Sequence, residues 1–132
     1  MEQPIKRFLL VDDDELNNSL TKIILKKTFG EVQIIDFIVP EEGLNYIKTE
    51  PVYTKIYEKT IFFLDINMPH LSGWEFLEAF DLFDASIKEQ YDIYILSSSI
   101  NQNDLNQAKE NPYVIDFIEK PLNNAKLLSM FG

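Results

Sequence analysis

The sequence predicts a doubly wound α/β domain, a five-stranded parallel sheet with helices on both faces. Three observations carry this. Short apolar runs recur along the chain, at 8–11 (FLLV), 32–39 (VQIIDFIV), 61–64 (IFFL), 93–96 (IYIL) and 114–118 (VIDFI). Most are apolar without polar alternation, which suits strands buried on both faces. Each is followed by a segment with helical spacing, so strand and helix alternate, and right-handed crossovers then close a parallel sheet.

The elements follow in order. Residues 8–11 run into Asp12, Asp13, Asp14 and Glu15. Asp14 suits a helix N-cap, and Leu16, Leu20, Ile23 and Ile24 share the expected buried face of that helix. Lys26, Lys27 and Gly30 read as its C-terminus and cap. After the strand at 32–39, Pro40 fits a first helical turn, with Glu41 and Glu42 at the positive end and Leu44 and Ile47 inward. Residues 51–59 read as a connector or a frayed extension. The strand at 61–64 meets Asp65, then Asn67, Met68-Pro69 and Gly73. Pro69 cannot continue a buried strand, and Gly73 offers backbone freedom before a helix over 73–83 with Phe76, Leu77 and Phe80 inward. The strand at 93–96 leads into Ser97, Ser98 and Ser99. A polar helix over 101–110 follows, anchored by Leu105 and Ala108 with Ile100 at its start. The strand at 114–118 ends near Lys120-Pro121, and a helix over 122–131 turns Leu127, Leu128 and Phe131 inward.

Composition narrows the functional classes. Hydrophobic content of 45% and charged content of 26% are those of a globular domain, and residues 1–132 are expected to form one domain without an attached output module. No apolar run approaches the roughly 20 residues of a membrane span, and MEQPIKRFLL does not read as a signal peptide. There are no cysteines, which excludes thiol chemistry and is compatible with the cytoplasm. The net charge of −10 disfavours direct binding to nucleic acid or to anionic membranes and favours cations or basic partners.

A parallel sheet gathers its strand ends on one edge, where open α/β sheets place their ligands. That edge collects Asp12, Asp13 and Asp65, with Ser97 and Lys120. Alone, Asp65 reads either as a cap or turn former, or as a nucleophile or metal ligand; the company it keeps favours the second. Three carboxylates in close quarters repel one another unless a cation intervenes. A hard divalent ion, Mg²⁺ where phosphate is handled, resolves the repulsion and neutralises an incoming phosphoryl group. Asp then serves as a covalent nucleophile, Lys120 pairs with a phosphoryl oxygen and Ser97 donates to another.

With these residues in place the chain resembles the receiver domain of bacterial response regulators, over roughly residues 5–130, in a stand-alone form similar to the chemotaxis response regulator. The resemblance rests on Val11-Asp12-Asp13, on Asp65 with Met68-Pro69 and Gly73, on Leu96-Ser97 and on Lys120-Pro121. It implies a flavodoxin-like sheet in the order 2-1-3-4-5. It implies Asp65 as the phosphorylated residue and Asp13 as a direct Mg²⁺ ligand, with Asp12 acting through water and Asn67 through its backbone carbonyl. Ser97 matches the switch hydroxyl, Lys120 the phosphate-binding lysine and Phe117 the switch aromatic, although Phe117 reads equally as core. Ser98 stands where a smaller residue is usual, and Phe117 lacks the hydroxyl of the commoner Tyr. The donor implied is a histidine kinase or a phosphotransfer protein. The output is a downstream protein docking on helix 101–110, strand 114–118 and helix 122–131. The chain would catalyse only its own phosphorylation and slow dephosphorylation.

Two other classes compete. An aspartate-nucleophile phosphatase needs a second Asp two residues after the nucleophile, where this chain has Asn67. A degenerate receiver, acting only as a binding module, lacks one of the acidic pair, the acceptor or the lysine, and here all are present. His70, the only histidine, has no partner at metal or catalytic spacing and reads as an exposed loop residue; Trp74 reads as packing or surface.

Overall fold

Five parallel strands form the centre of the structure, a computed structural model that describes residues 6–50, 59–99 and 101–132. They are β1 (Lys6–Val11), β2 (Val32–Phe37), β3 (Thr60–Leu64), β4 (Tyr91–Ser97) and β5 (Val114–Glu119), in the order β2-β1-β3-β4-β5. Successive side chains point to opposite faces, so each central strand feeds two layers. Leu9, Val11, Phe62, Leu64, Ile93 and Ile95 enter one layer, beneath Ile47, Phe76, Leu77 and Phe80. Phe8, Leu10, Ile61, Phe63 and Leu96 enter the other, beneath Leu25, Leu122 and Leu127. This two-sided burial is why the runs contain so few polar residues.

The helices are α1 (Glu15–Phe29), α2 (Pro40–Thr49), α3 (Gly73–Asp81), α4 (Ala85–Lys88), α5 (Gln102–Glu110) and α6 (Asn124–Phe131). Caps are as the sequence predicts at α1: Asp14 accepts from the Asn17 N–H, and Gly30 ends the helix with φ of 77°. Short α4 was not expected. The helix predicted to reach 83 stops at Asp81, Phe83 folds back edge-on against Phe80 with 6.0 Å between ring centroids, and a separate turn follows. Residues 51–58 of the connector expected at 51–59, and the anchor expected at Ile100, lie outside the described residues. Among the described residues no helix is long and apolar enough to cross a membrane.

Two expected buried faces are corrected. On α1, Leu16, Leu20 and Ile23 are 68%, 55% and 52% exposed, while Ile24 of the expected face packs against the core and Asn18, Thr21 and Leu25 face the sheet. The helix is rolled by polar anchors: the Asn18 amide donates to the Asp12 carbonyl at 3.0 Å, and Lys22 pairs with Asp36 of β2 at 3.2 Å. On α6, Leu128 is exposed. Leu127 is buried there, and the Phe131 ring packs against Phe8, Phe63 and Tyr94.

Arg7 is a buried charge that the sequence did not single out. It donates to Thr60 Oγ1 at 3.0 Å, to Glu50 at 2.6 Å and to the Tyr46 hydroxyl, joining β1, β3 and α2. Burial pushes the Tyr46 hydroxyl pKa well above its ordinary value, so it stays protonated beside Glu50.

Gly73 proves to matter for space. A Cβ there would stand 2.7 Å from the Asp65 carbonyl oxygen and from both Cα and Cγ2 of Ile66, closer than any real contact. Its N–H donates to the Ile66 carbonyl at 3.2 Å, which presses the start of α3 against the end of β3. Gly73→Ala is expected to destabilise the fold by about 2–4 kcal/mol, because backbone rather than a flexible side chain must yield. Urea unfolding measures it, and a loss under about 0.5 kcal/mol would contradict this packing.

Candidate functional site

Strand register brings the site together. Val11 of β1 lies beside Leu64 of β3, so Asp12 and Asp65 emerge next to each other, and the Asp65 N–H donates to the Val11 carbonyl at 3.0 Å. Leu64 pairs with Ile95, which sets Ser97 at the neighbouring strand end. Ser97 pairs with Glu119, and the Lys120 N–H donates to the Ser97 carbonyl at 2.8 Å. Residues far apart in sequence thus share one crevice because hydrogen-bonded strands end level.

Asp12 is buried and held at every oxygen. Its Oδ1 accepts from the Asp14 N–H at 2.9 Å, and its Oδ2 accepts from the Asn17 amide at 2.9 Å and from Lys120 Nζ at 2.6 Å. Lys120 also lies 3.8 Å from Asp65 Oδ2, so one ammonium stands between two buried carboxylates. Asp13 is exposed, yet one oxygen from each of Asp12, Asp13 and Asp65 can lie within 4.8 Å of the others. Three hard oxygen donors this close, short of positive charge, fit a hard divalent cation such as Mg²⁺.

Ser97 is fully buried, and its hydroxyl accepts from the Asn67 side-chain amide at 3.0 Å and donates to the Ser99 carbonyl at 3.1 Å. The Asn67 N–H donates to Asp65 Oδ1 at 3.2 Å. Phe117 packs against the core layer that holds Ile93 and Ile95. It is half-buried and lines a groove between α5 and β5. Ser98 and His70 are exposed. Sequence reasoning missed Asn17 and Asn18, which hold Asp12 in place. The signal available was a pair of amides in the first turns of a helix that starts at the acidic run. It also missed that Trp74 reaches Asp104 of α5.

Electrostatics set the character of Asp65. Burial, and then the neighbouring Asp12 carboxylate, push its pKa from 3.8 up to about 6, against the opposing pull of Lys120 and the Asn67 N–H. The folded protein therefore binds this proton more tightly than the unfolded chain does. Ionising Asp65 costs stability that accumulates as pH rises from about 4 to about 6 and persists above it. In EDTA, Asp65→Asn is expected to be more stable than the parent at pH 7 by on the order of 2 kcal/mol, with the gap closing near pH 4. Thermal melts across that range measure it, and a gap independent of pH would contradict the assignment.

The sequence model of the response regulator receiver domain family matches residues 8–131. No curated protein matches the chain. Solved structures do. A two-component response regulator from Cytophaga hutchinsonii is 26% identical, with a TM-score of 0.84 over 98% of this chain and 96% of that one. A response regulator receiver protein from Dyadobacter fermentans is 22% identical, with a TM-score of 0.84 over 95% and 94%. The phosphorylated cyanobacterial phytochrome response regulator RcpA is 24% identical, with a TM-score of 0.73 over 96% and 88%. The sheet order, the acidic crevice and a family match across nearly the whole chain converge, and the chain belongs to the response regulator receiver domains.

Proposed function

We propose that this receiver takes a phosphoryl group from the histidine of a kinase or phosphotransfer protein onto Asp65. The reading is carried by one observation: Asp65 is buried beside Asp12 and within 3.8 Å of the Lys120 ammonium at the end of the central strand. In the transfer, an Asp65 carboxylate oxygen bonds to phosphorus as the phosphorus–nitrogen bond of the donor breaks, and the donor imidazole keeps the electron pair. Bound Mg²⁺ supplies neutralisation of the phosphoryl oxygens, and the carboxylates of Asp12, Asp13 and Asp65 with the Asn67 carbonyl would hold it. Lys120 shifts from Asp12 toward a phosphoryl oxygen, a short move since it already faces both carboxylates. Asp12 keeps its bonds from Asn17 and the Asp14 N–H, so its position survives the loss of the ammonium.

The signal then leaves through α5, β5 and α6. Ser97 gives up Asn67 and the Ser99 carbonyl to donate to the phosphoryl group, and Phe117 turns into the space vacated. Supporting this, Ile115 and Leu128 are exposed on this side, and Phe117 borders a groove of about 310 Å³ with Leu105 and Val114. A downstream protein docks there once the face has changed.

With acetyl phosphate and Mg²⁺, the protein is expected to show a retarded band in phosphate-affinity electrophoresis, lost in EDTA and absent from Asp65→Asn. Uptake by Asp65→Asn at the parent rate would place the acceptor elsewhere. Ser97→Ala is expected to keep most uptake, while the change in hydrogen exchange over residues 97–131 on adding beryllofluoride falls at least about threefold. An undiminished change would remove Ser97 from the switch.

A further inference from the structure

Helix α5 is weakly seated. Its buried side chains are Asp104 and Ala108, and open grooves lie along both flanks. One, of about 310 Å³, separates it from β5 and is lined by Leu105 and Phe117. The other, of about 270 Å³, lies on its α3 side and is lined by Trp74, Glu78 and Gln107. A helix with space on both sides and little apolar burial belongs to the less stable part of a fold and has room to shift as a body.

Its N-terminal turn is tied down by a polar bond. The Trp74 indole Nε1 donates to Asp104 Oδ1 at 3.2 Å, and among the described residues it is the one side-chain donor to that carboxylate. Asp104 is buried, so losing this donor leaves its carboxylate without a side-chain partner until water enters. Both ends of the bond lead to the acidic crevice. Trp74 follows Gly73, which packs directly on the Asp65 carbonyl. Asp104 lies in the first turn of the helix that follows Ser97, whose hydroxyl is turned toward Asn67 and the Ser99 carbonyl.

We propose that the Trp74–Asp104 hydrogen bond is an autoinhibitory latch, holding α5 in the arrangement in which Ser97 faces Asn67. The inference rests on the phospho-acceptor reading of Asp65. When Ser97 moves toward a phosphoryl group, the short segment behind it draws the first turn of α5 along. A bond already 3.2 Å long passes out of hydrogen-bond range after a displacement of about 1 Å. The free energy of opening the latch is then subtracted from the grip of the site on its phosphoryl group. Linkage makes the coupling reciprocal, so weakening the latch tightens the site.

Beryllofluoride with Mg²⁺, titrated by calorimetry into the parent, Trp74→Phe, Asp104→Ala and Asp104→Asn, tests this. Trp74→Phe removes the N–H and keeps the ring; Asp104→Ala removes the acceptor; Asp104→Asn keeps an acceptor oxygen. Trp74→Phe and Asp104→Ala are expected to bind about three- to tenfold more tightly than the parent, and Asp104→Asn within about twofold of it. Trp74 is the only tryptophan, so the emission of the parent is expected to change on binding, whereas Asp104→Ala starts near the bound spectrum. Melting curves establish which variants fold, and either Trp74→Phe or Asp104→Ala suffices. Parent-like or weaker binding by a folded latch variant overturns the latch and leaves the acceptor reading standing. Failure of the parent itself to bind beryllofluoride overturns both.

Discussion

Two buried carboxylates that end adjacent parallel strands repel each other, and much of the local structure answers that repulsion. Asp12 and Asp65 emerge side by side because Val11 and Leu64 are in register, and neither can retreat without breaking the sheet. Lys120 stands between them, fixed by its own N–H bond to the Ser97 carbonyl. Asn17 and the Asp14 N–H complete the shell around Asp12, while Asn18 holds its backbone carbonyl. Asp65 keeps a raised pKa in spite of Lys120, because burial and Asp12 outweigh one ammonium. The crevice is thus left with an appetite for positive charge, which fits a divalent cation and supports the chemistry proposed for Asp65.

Rigidity is distributed to suit such a site. Beneath the carboxylates the sheet is packed on both faces with large side chains, including Phe8, Phe62, Phe63, Phe76 and Phe80, all fully buried. Phe62 meets Phe76 edge-on at 5.5 Å, and Phe63 meets Phe131 at 6.1 Å between centroids, so the strand that carries Asp65 is gripped from above and below. Gly73 lets the start of α3 close directly on that strand end. Helix α5 is built differently, with few apolar anchors, grooves at its sides and a polar tie to Trp74. A stiff strand leading into Asp65 and a loosely held helix together make an arrangement in which a small local event changes a surface at little cost to the fold.

By itself the sequence determined the alternation of strand and helix, the parallel sheet and the gathering of Asp12, Asp13, Asp65, Ser97 and Lys120 at one edge. These follow from apolar runs and from what ends them, and local spacing carries that information. It located the caps at Asp14 and Gly30 for the same reason. Tertiary structure decided how each helix is rolled. Leu16, Leu20 and Ile23 keep perfect helical spacing, yet they face outward, since periodicity fixes which residues share a face and not which face meets the sheet. That choice fell to Asn18, which turns back to the Asp12 carbonyl, and to Lys22, whose partner Asp36 is reached only once β2 has paired with β1. The tie from Trp74 to Asp104 and the buried cluster around Arg7 were equally hidden, because each joins residues dozens of positions apart whose polarity, read locally, belongs on a surface.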